Sequence, residues 1–125
     1  LDQLTINALT AADGVVVVTH ARLWSAQGLA KLLANIGLIR EAYNPRLRVV
    51  GVLANQVEAR TGAAQHWLRE VGRFAAESGV EVLRPLIPKR VAIADAVERS
   101  EPVADGGLRT LFRVLAGKLV GGEAK

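Results

Sequence analysis

The chain predicts an α/β fold: a parallel sheet of about three strands with helices on both faces. Three short runs, 14–19, 49–54 and 80–87, are rich in Val, Leu and Ile and almost continuously apolar, as strands buried on both faces are. Amphipathic stretches at helical spacing separate them. Connections of roughly 25 to 30 residues leave room for a crossover helix, so the strands run parallel with right-handed crossovers.

The elements follow in order. A first helix is predicted over 3–12, ahead of the Gly14-Val-Val-Val-Val-Thr19 strand. The second helix, 25–43, places Leu29, Leu32, Leu33, Ile36 and Ile39 on one side. It stops at Asn44-Pro45, because the residue before proline is pushed out of the α region. After the 49–54 strand, the helix over 60–78 repeats Ala64, Trp67, Leu68, Val71, Phe74 and Ala75 on one stripe, and Gly79 supplies its stop. A third strand is predicted over 80–87, interrupted by Pro85. Two helices close the chain, 91–99 and 107–120; the last carries Leu108, Leu111, Phe112, Leu115 and Leu119 on one stripe and ends at Gly121-Gly122. No repeat, low-complexity tract or linker divides the sequence, so residues 1–125 read as one unit.

Composition narrows the function. Half the residues are hydrophobic and 4% aromatic, which gives a core of Ala, Val, Leu and Ile and excludes a disordered chain. There is no cysteine, hence no disulfide framework and no thiolate metal site. Lys and Arg outnumber Asp and Glu 16 to 12, a mild excess compatible with a polyanionic partner. His20 and His66 lack metal-ligand spacing and receive no role. Neither a transmembrane span nor a targeting segment is visible. The first residue is leucine, and the sequence is read as a piece of a longer protein.

Parallel strands end at one edge, where open α/β sheets bind their ligands. The residues brought there are Thr19-His20, then 55–58, then 88–90. Asn55 closes an apolar strand and offers both a donor and an acceptor, the pair an adenine edge presents; a turn or cap asparagine fits the same spacing. Pro88 begins a rigid loop able to lay backbone and an apolar wall along a base, although proline at a strand end is also common without a ligand. Arg60, Lys89 and Arg90 follow neighbouring strand ends and form either a phosphate-binding patch or ordinary solvated charge, with Arg84 and Arg99 as possible additions. There is no Ser/His/Asp set, no pair of catalytic carboxylates and no Gly-x-x-x-x-Gly-Lys-[Ser/Thr] phosphate loop. Without that loop the β- and γ-phosphates lack a cradle, so no catalytic residue is assigned and this stretch alone is expected not to hydrolyse ATP.

Several short motifs in order carry a family resemblance: Leu4-Thr5-Ile6-Asn7-Ala8-Leu9, Gly28-Leu29, Asn44-Pro45-Arg46-Leu47, Gly51-Val52-Leu53, Ala59-Arg60-Thr61, Ile87-Pro88-Lys89-Arg90-Val91 and Glu101-Pro102-Val103. Together they resemble the ParA family of partitioning ATPases, over the part that follows the Walker B motif. The resemblance implies that the sheet is part of a P-loop NTPase fold and that the chain is the C-terminal part of an ATP- and Mg²⁺-dependent dimer that binds non-specific DNA and moves plasmid or chromosome cargo through a ParB-like, centromere-binding partner. Such a protein would be cytoplasmic and nucleoid-associated. The related MinD branch fits less well, since residues 107–125 lack the opposed basic and large apolar faces of a membrane-binding helix. On this resemblance adenine contact falls on Asn55, Gln56, Pro88 and Lys89, and DNA contact on Arg60, Lys89 and Arg90. No nucleotide is expected to be held tightly by this stretch alone. Asn55-Gln56, Glu58 and the shortened Asp105-Gly106-Gly107-Leu108 depart from the family pattern. The competing reading is a nucleotide-independent DNA- or protein-binding module descended from the same fold.

Overall fold

A computed structural model describes residues 2–121. The order is α1 (Gln3–Ala11), β1 (Gly14–Thr19), a 3-10 turn (Ala21–Leu23), α2 (Ala26–Ala42), β2 (Arg48–Ala54), α3 (Gly62–Glu77), α4 (Val91–Arg99) and α5 (Gly106–Gly121). Gly122, where the last helix was predicted to end, lies outside the described residues.

Polar caps set the helix starts. The Ser25 hydroxyl accepts from Gly28 N at 3.0 Å, the Thr61 hydroxyl from Ala64 N at 3.0 Å, and the Asp105 carboxylate from Leu108 N at 2.9 Å. The predicted stripes are the buried ones: Leu29, Ile36 and Ile39 on α2, Ala64, Trp67, Val71 and Ala75 on α3, and Leu108 and Leu115 on α5. Asn44 ends α2 and ties it to α1, its amide donating to the Leu9 carbonyl at 3.0 Å and the Ala12 carbonyl at 2.7 Å.

β1 and β2 pair in parallel, as the crossover spacing requires. Helices cover both faces. One layer packs α1, α2 and α3 on Val15, Val17, Val49, Val52 and Ala54; the other packs α4 and α5 on Val16, Val50, Leu53, Leu83 and Ile87. The register slips by one residue between Val15, opposite Val49, and Val16, opposite Gly51. This bulge puts Val50 and Gly51 on the same side and returns Val52 to the α2/α3 face. Gly51 thereby comes so close to the next segment that an added Cβ would lie 2.7 Å from Leu83 Cγ and 2.8 Å from the Glu81 carbonyl oxygen.

That next segment is not the predicted strand. Among the described residues the sheet has two strands, and residues 80–89 touch it only through isolated bridges, Val52 with Val82 and Val57 with Pro88. Glu81 O accepts from Val52 N and Leu83 N donates to Val52 O, both at 2.8 Å; pairing then lapses until Ile87 N donates to Ala54 O at 3.0 Å. Pro85 stands in the gap and has no N–H to offer, so the ladder cannot run through it. The Lys118 ammonium on α5 donates to the Arg84 carbonyl in this stretch.

Candidate functional site

The C-terminal strand ends converge. Asn55 N donates to Thr19 O at 2.8 Å, which sets the first residue after β2 beside the last residue of β1. Beyond it, Val57 N donates to Ile87 O at 3.0 Å and Lys89 N to Val57 O at 3.1 Å, so residues 54–57 and 87–89 are zipped together. Gln56 adopts the left-handed region (φ 54°), which costs a non-glycine residue about 1 kcal/mol. Around this kink Val57 is buried while Gln56 and Glu58 are exposed. Backbone strain of this kind is concentrated at functional sites, where surrounding bonds hold it in place.

Asn55, Gln56, Pro88 and Lys89, the four residues assigned to base contact, line one cleft of about 860 Å³. Its other wall is α4, through Val91, Ile93, Ala94, Val97 and Glu98, with Arg90 at the junction. Val91 and Val97 are 75% and 74% exposed, so apolar surface is left open facing an amide and two loop backbones. A flat, apolar ring with polar edges suits such a cleft. The α4 wall was not singled out in the sequence. Its signal was present: Ile93 and Ala96 already supply an inward stripe, so Val91 and Val97 make α4 more apolar than a surface helix needs.

Arg60, Lys89 and Arg90 line an adjoining depression of about 470 Å³. The structure therefore brings the predicted basic set together. Lys89 is shared with the cleft, and its ammonium pairs with the Glu58 carboxylate at 3.0 Å. Both side chains are about half exposed (53% and 54%), which makes the pair worth at most about 1 kcal/mol and open to exchange for another anion. Arg84 and Arg99 line neither concavity. His20 sits in a smaller pocket of about 240 Å³ beside Gln56, Glu58, Lys89 and Trp67, while His66 is exposed on α3.

Among the described residues no group of three or more His, Asp or Glu could hold a metal ion, and the sequence contains no phosphate loop.

A family model described as an AAA domain matches residues 1–49. Over 104 residues the chain is 38% identical to the chromosome-partitioning ATPase Soj of Thermus thermophilus, a match covering 83% of the chain and 41% of the relative. It is 32% identical to the sporulation initiation inhibitor protein Soj of Bacillus subtilis over 82% of the chain and 40% of that protein, and 32% identical to the chromosome partitioning protein ParA of Caulobacter vibrioides over 82% and 38%. Over most of its length the chain is thus similar to Soj and ParA proteins. This ParA-like chain spans about two fifths of those curated relatives' length (41% and 40% for the two Soj proteins). Among solved structures, cobyrinic acid a,c-diamide synthase from Mycobacterium smegmatis superposes with a TM-score of 0.61 at 30% identity, over 77% of this chain and 42% of that one. The same enzyme with bound ADP and magnesium superposes with a TM-score of 0.61 at 25% identity, covering 80% and 44%. The α/β fold is therefore shared with a nucleotide-binding protein. No helix among the described residues is long and apolar enough to cross a membrane.

Proposed function

We propose that this chain is the C-terminal part of a ParA-type partitioning ATPase, supplying the adenine-facing wall of its nucleotide site and the basic surface that holds DNA. The carrying observation is that Asn55, Gln56, Pro88 and Lys89 line one cleft at the C-terminal strand ends, in a chain similar to a chromosome-partitioning ATPase and a chromosome partitioning protein. The Asn55 amide has the donor and acceptor needed for an adenine edge, and the Val91, Ile93 and Val97 wall excludes water from one side of the ring. ATP supplies the hydrolysable anhydride when bound. The residues here orient the base and leave the phosphates to the remainder of the protein, so the 125-residue stretch by itself is expected to turn over no ATP above a no-protein blank. The full protein acts as a dimer on non-specific DNA with a ParB-like partner, in the cytoplasm at the nucleoid. Photolabelling the full-length protein with 8-azido-ATP tests the reading: label recovered in peptides from 55–58 and 88–98 supports it, and label confined to other segments removes this cleft from the nucleotide site.

Within the same reading, Glu58 tempers the basic patch by neutralising Lys89. Glu58→Gln in the full-length protein should strengthen duplex DNA binding at low salt with little change in the log–log salt slope, since Lys89 then meets a phosphate without first giving up a carboxylate partner. Unchanged affinity at low salt would show that Glu58 does not compete with DNA for Lys89.

A further inference from the structure

A further concavity, of about 760 Å³, lies along α2 from Ala30 to Arg40, against the loop into β2 and the C-terminal end of α3. Arg40, Arg46 and Arg48 line it, and among the described residues no carboxylate does. Arg40 is half-buried, with its Nε donating to the Leu47 carbonyl at 2.6 Å; that bond fixes the guanidinium plane and leaves its terminal amino groups for another acceptor. Arg46 is exposed and makes no ion pair among the described residues. Arg48 already holds an interaction within the protein, so only Arg40 and Arg46 are taken as cations open to a ligand.

Arginine beside a helix C-terminus has an ordinary explanation, because the terminal carbonyls carry about half a negative charge per helix. Magnitudes decide between the two accounts. The ends of α2 and α3 together supply about one negative charge, against two full cations from Arg40 and Arg46 alone. Among the groups that line the concavity the helix ends therefore leave a surplus of positive charge, with Phe74 forming part of one wall. The strands, of six and seven residues, put this site about 20 Å from the Asn55 cleft, so the two are separate.

We propose that this arginine-lined depression binds an oligophosphate anion. Guanidinium forks match phosphoryl oxygens two at a time, and spaced arginines within one concavity favour a compact chain of phosphates over a single monoanion. A volume near 760 Å³ falls within the range of small-molecule sites. Binding here does not depend on the nucleotide reading of the other cleft.

The test is calorimetric titration of the full-length protein with inorganic tripolyphosphate, without added nucleotide or magnesium, where dependence on Arg46 separates binding in this depression from binding at any nucleotide site. Arg46→Glu, in an exposed loop, should fold normally by circular dichroism and bind tripolyphosphate at least about tenfold more weakly, while Arg46→Lys should retain most of the affinity. Citrate, a carboxylate of similar charge, should bind much more weakly than tripolyphosphate. Absence of saturable binding, or equal affinity in wild type and Arg46→Glu, overturns the proposal. Equal affinity for citrate overturns the assignment to phosphate, and displacement of tripolyphosphate by duplex DNA in an Arg46-dependent way would make the depression a nucleic-acid surface instead.

Discussion

Replacing Arg60, Lys89 and Arg90 together by alanine in the full-length protein should remove most of its affinity for duplex DNA at low salt and flatten the salt dependence of the residual binding. Deleting one phosphate-neutralising cation lowers the slope of log K against log salt by about 0.9, so deleting three per copy removes about 2.7, and twice that in a dimer with both patches engaged. The three side chains line one depression, and the Lys89–Glu58 pair is exposed enough to exchange for a phosphate. Because phosphates carry no sequence information, the loss should be the same on unrelated duplexes. Arg60→Ala alone should take about a third of the slope change. Duplex affinity is to be measured at several salt concentrations, with ATP binding and dimer formation checked in parallel. Wild-type affinity and slope in a variant that still binds ATP and dimerises would reduce the patch to solvated charge.

Gly51→Ala should cost about 3 kcal/mol of stability despite adding a single methyl group, at the upper end of what overpacking a core does. The new Cβ would meet Leu83 Cγ at 2.7 Å and the Glu81 carbonyl at 2.8 Å, and neither is the far end of a flexible chain. Relief requires the segment over 80–89 to move off β2, which weakens the Val52–Glu81 and Leu83–Val52 hydrogen bonds. The same segment carries Pro88 and Lys89 to the cleft. Nucleotide affinity should therefore fall together with the denaturation midpoint, although Gly51 lines neither the cleft nor the basic depression. A midpoint within a degree or two of wild type would mean that the bulge accommodates a side chain.

The α/β class and the helix stripes were legible because burial on one or two faces leaves a periodic mark: Leu29, Ile36 and Ile39 on α2, and Ala64, Trp67 and Val71 on α3, are buried as their spacing requires. Position along the sheet edge was legible too, since strand direction alone sends residues 55–58 and 88–90 to one end. The third strand was not. Its apolar residues pack on both layers as a strand's would, Val82 and Leu86 with the α2/α3 side and Leu83 and Ile87 with α5, but hydrogen bonding depends on each N–H in turn, and Pro85 breaks the sequence of donors. The bulge at Val50 and Gly51 left no periodic trace in a run that is apolar throughout. Val91 and Val97 were missed because an exposed apolar residue on a short helix reads as unremarkable until its neighbours are placed opposite Asn55.

Whether the Asn55 cleft holds the base of ATP is tested most directly by the equilibrium ATP affinity of the full-length protein, wild type against Asn55→Ala. Loss of one or two hydrogen bonds to the base should weaken binding by about 1–3 kcal/mol, roughly five- to 150-fold, while the fold and the affinity for inorganic tripolyphosphate are preserved. Unchanged ATP affinity in a correctly folded Asn55→Ala protein would contradict the account and remove the cleft from the nucleotide site.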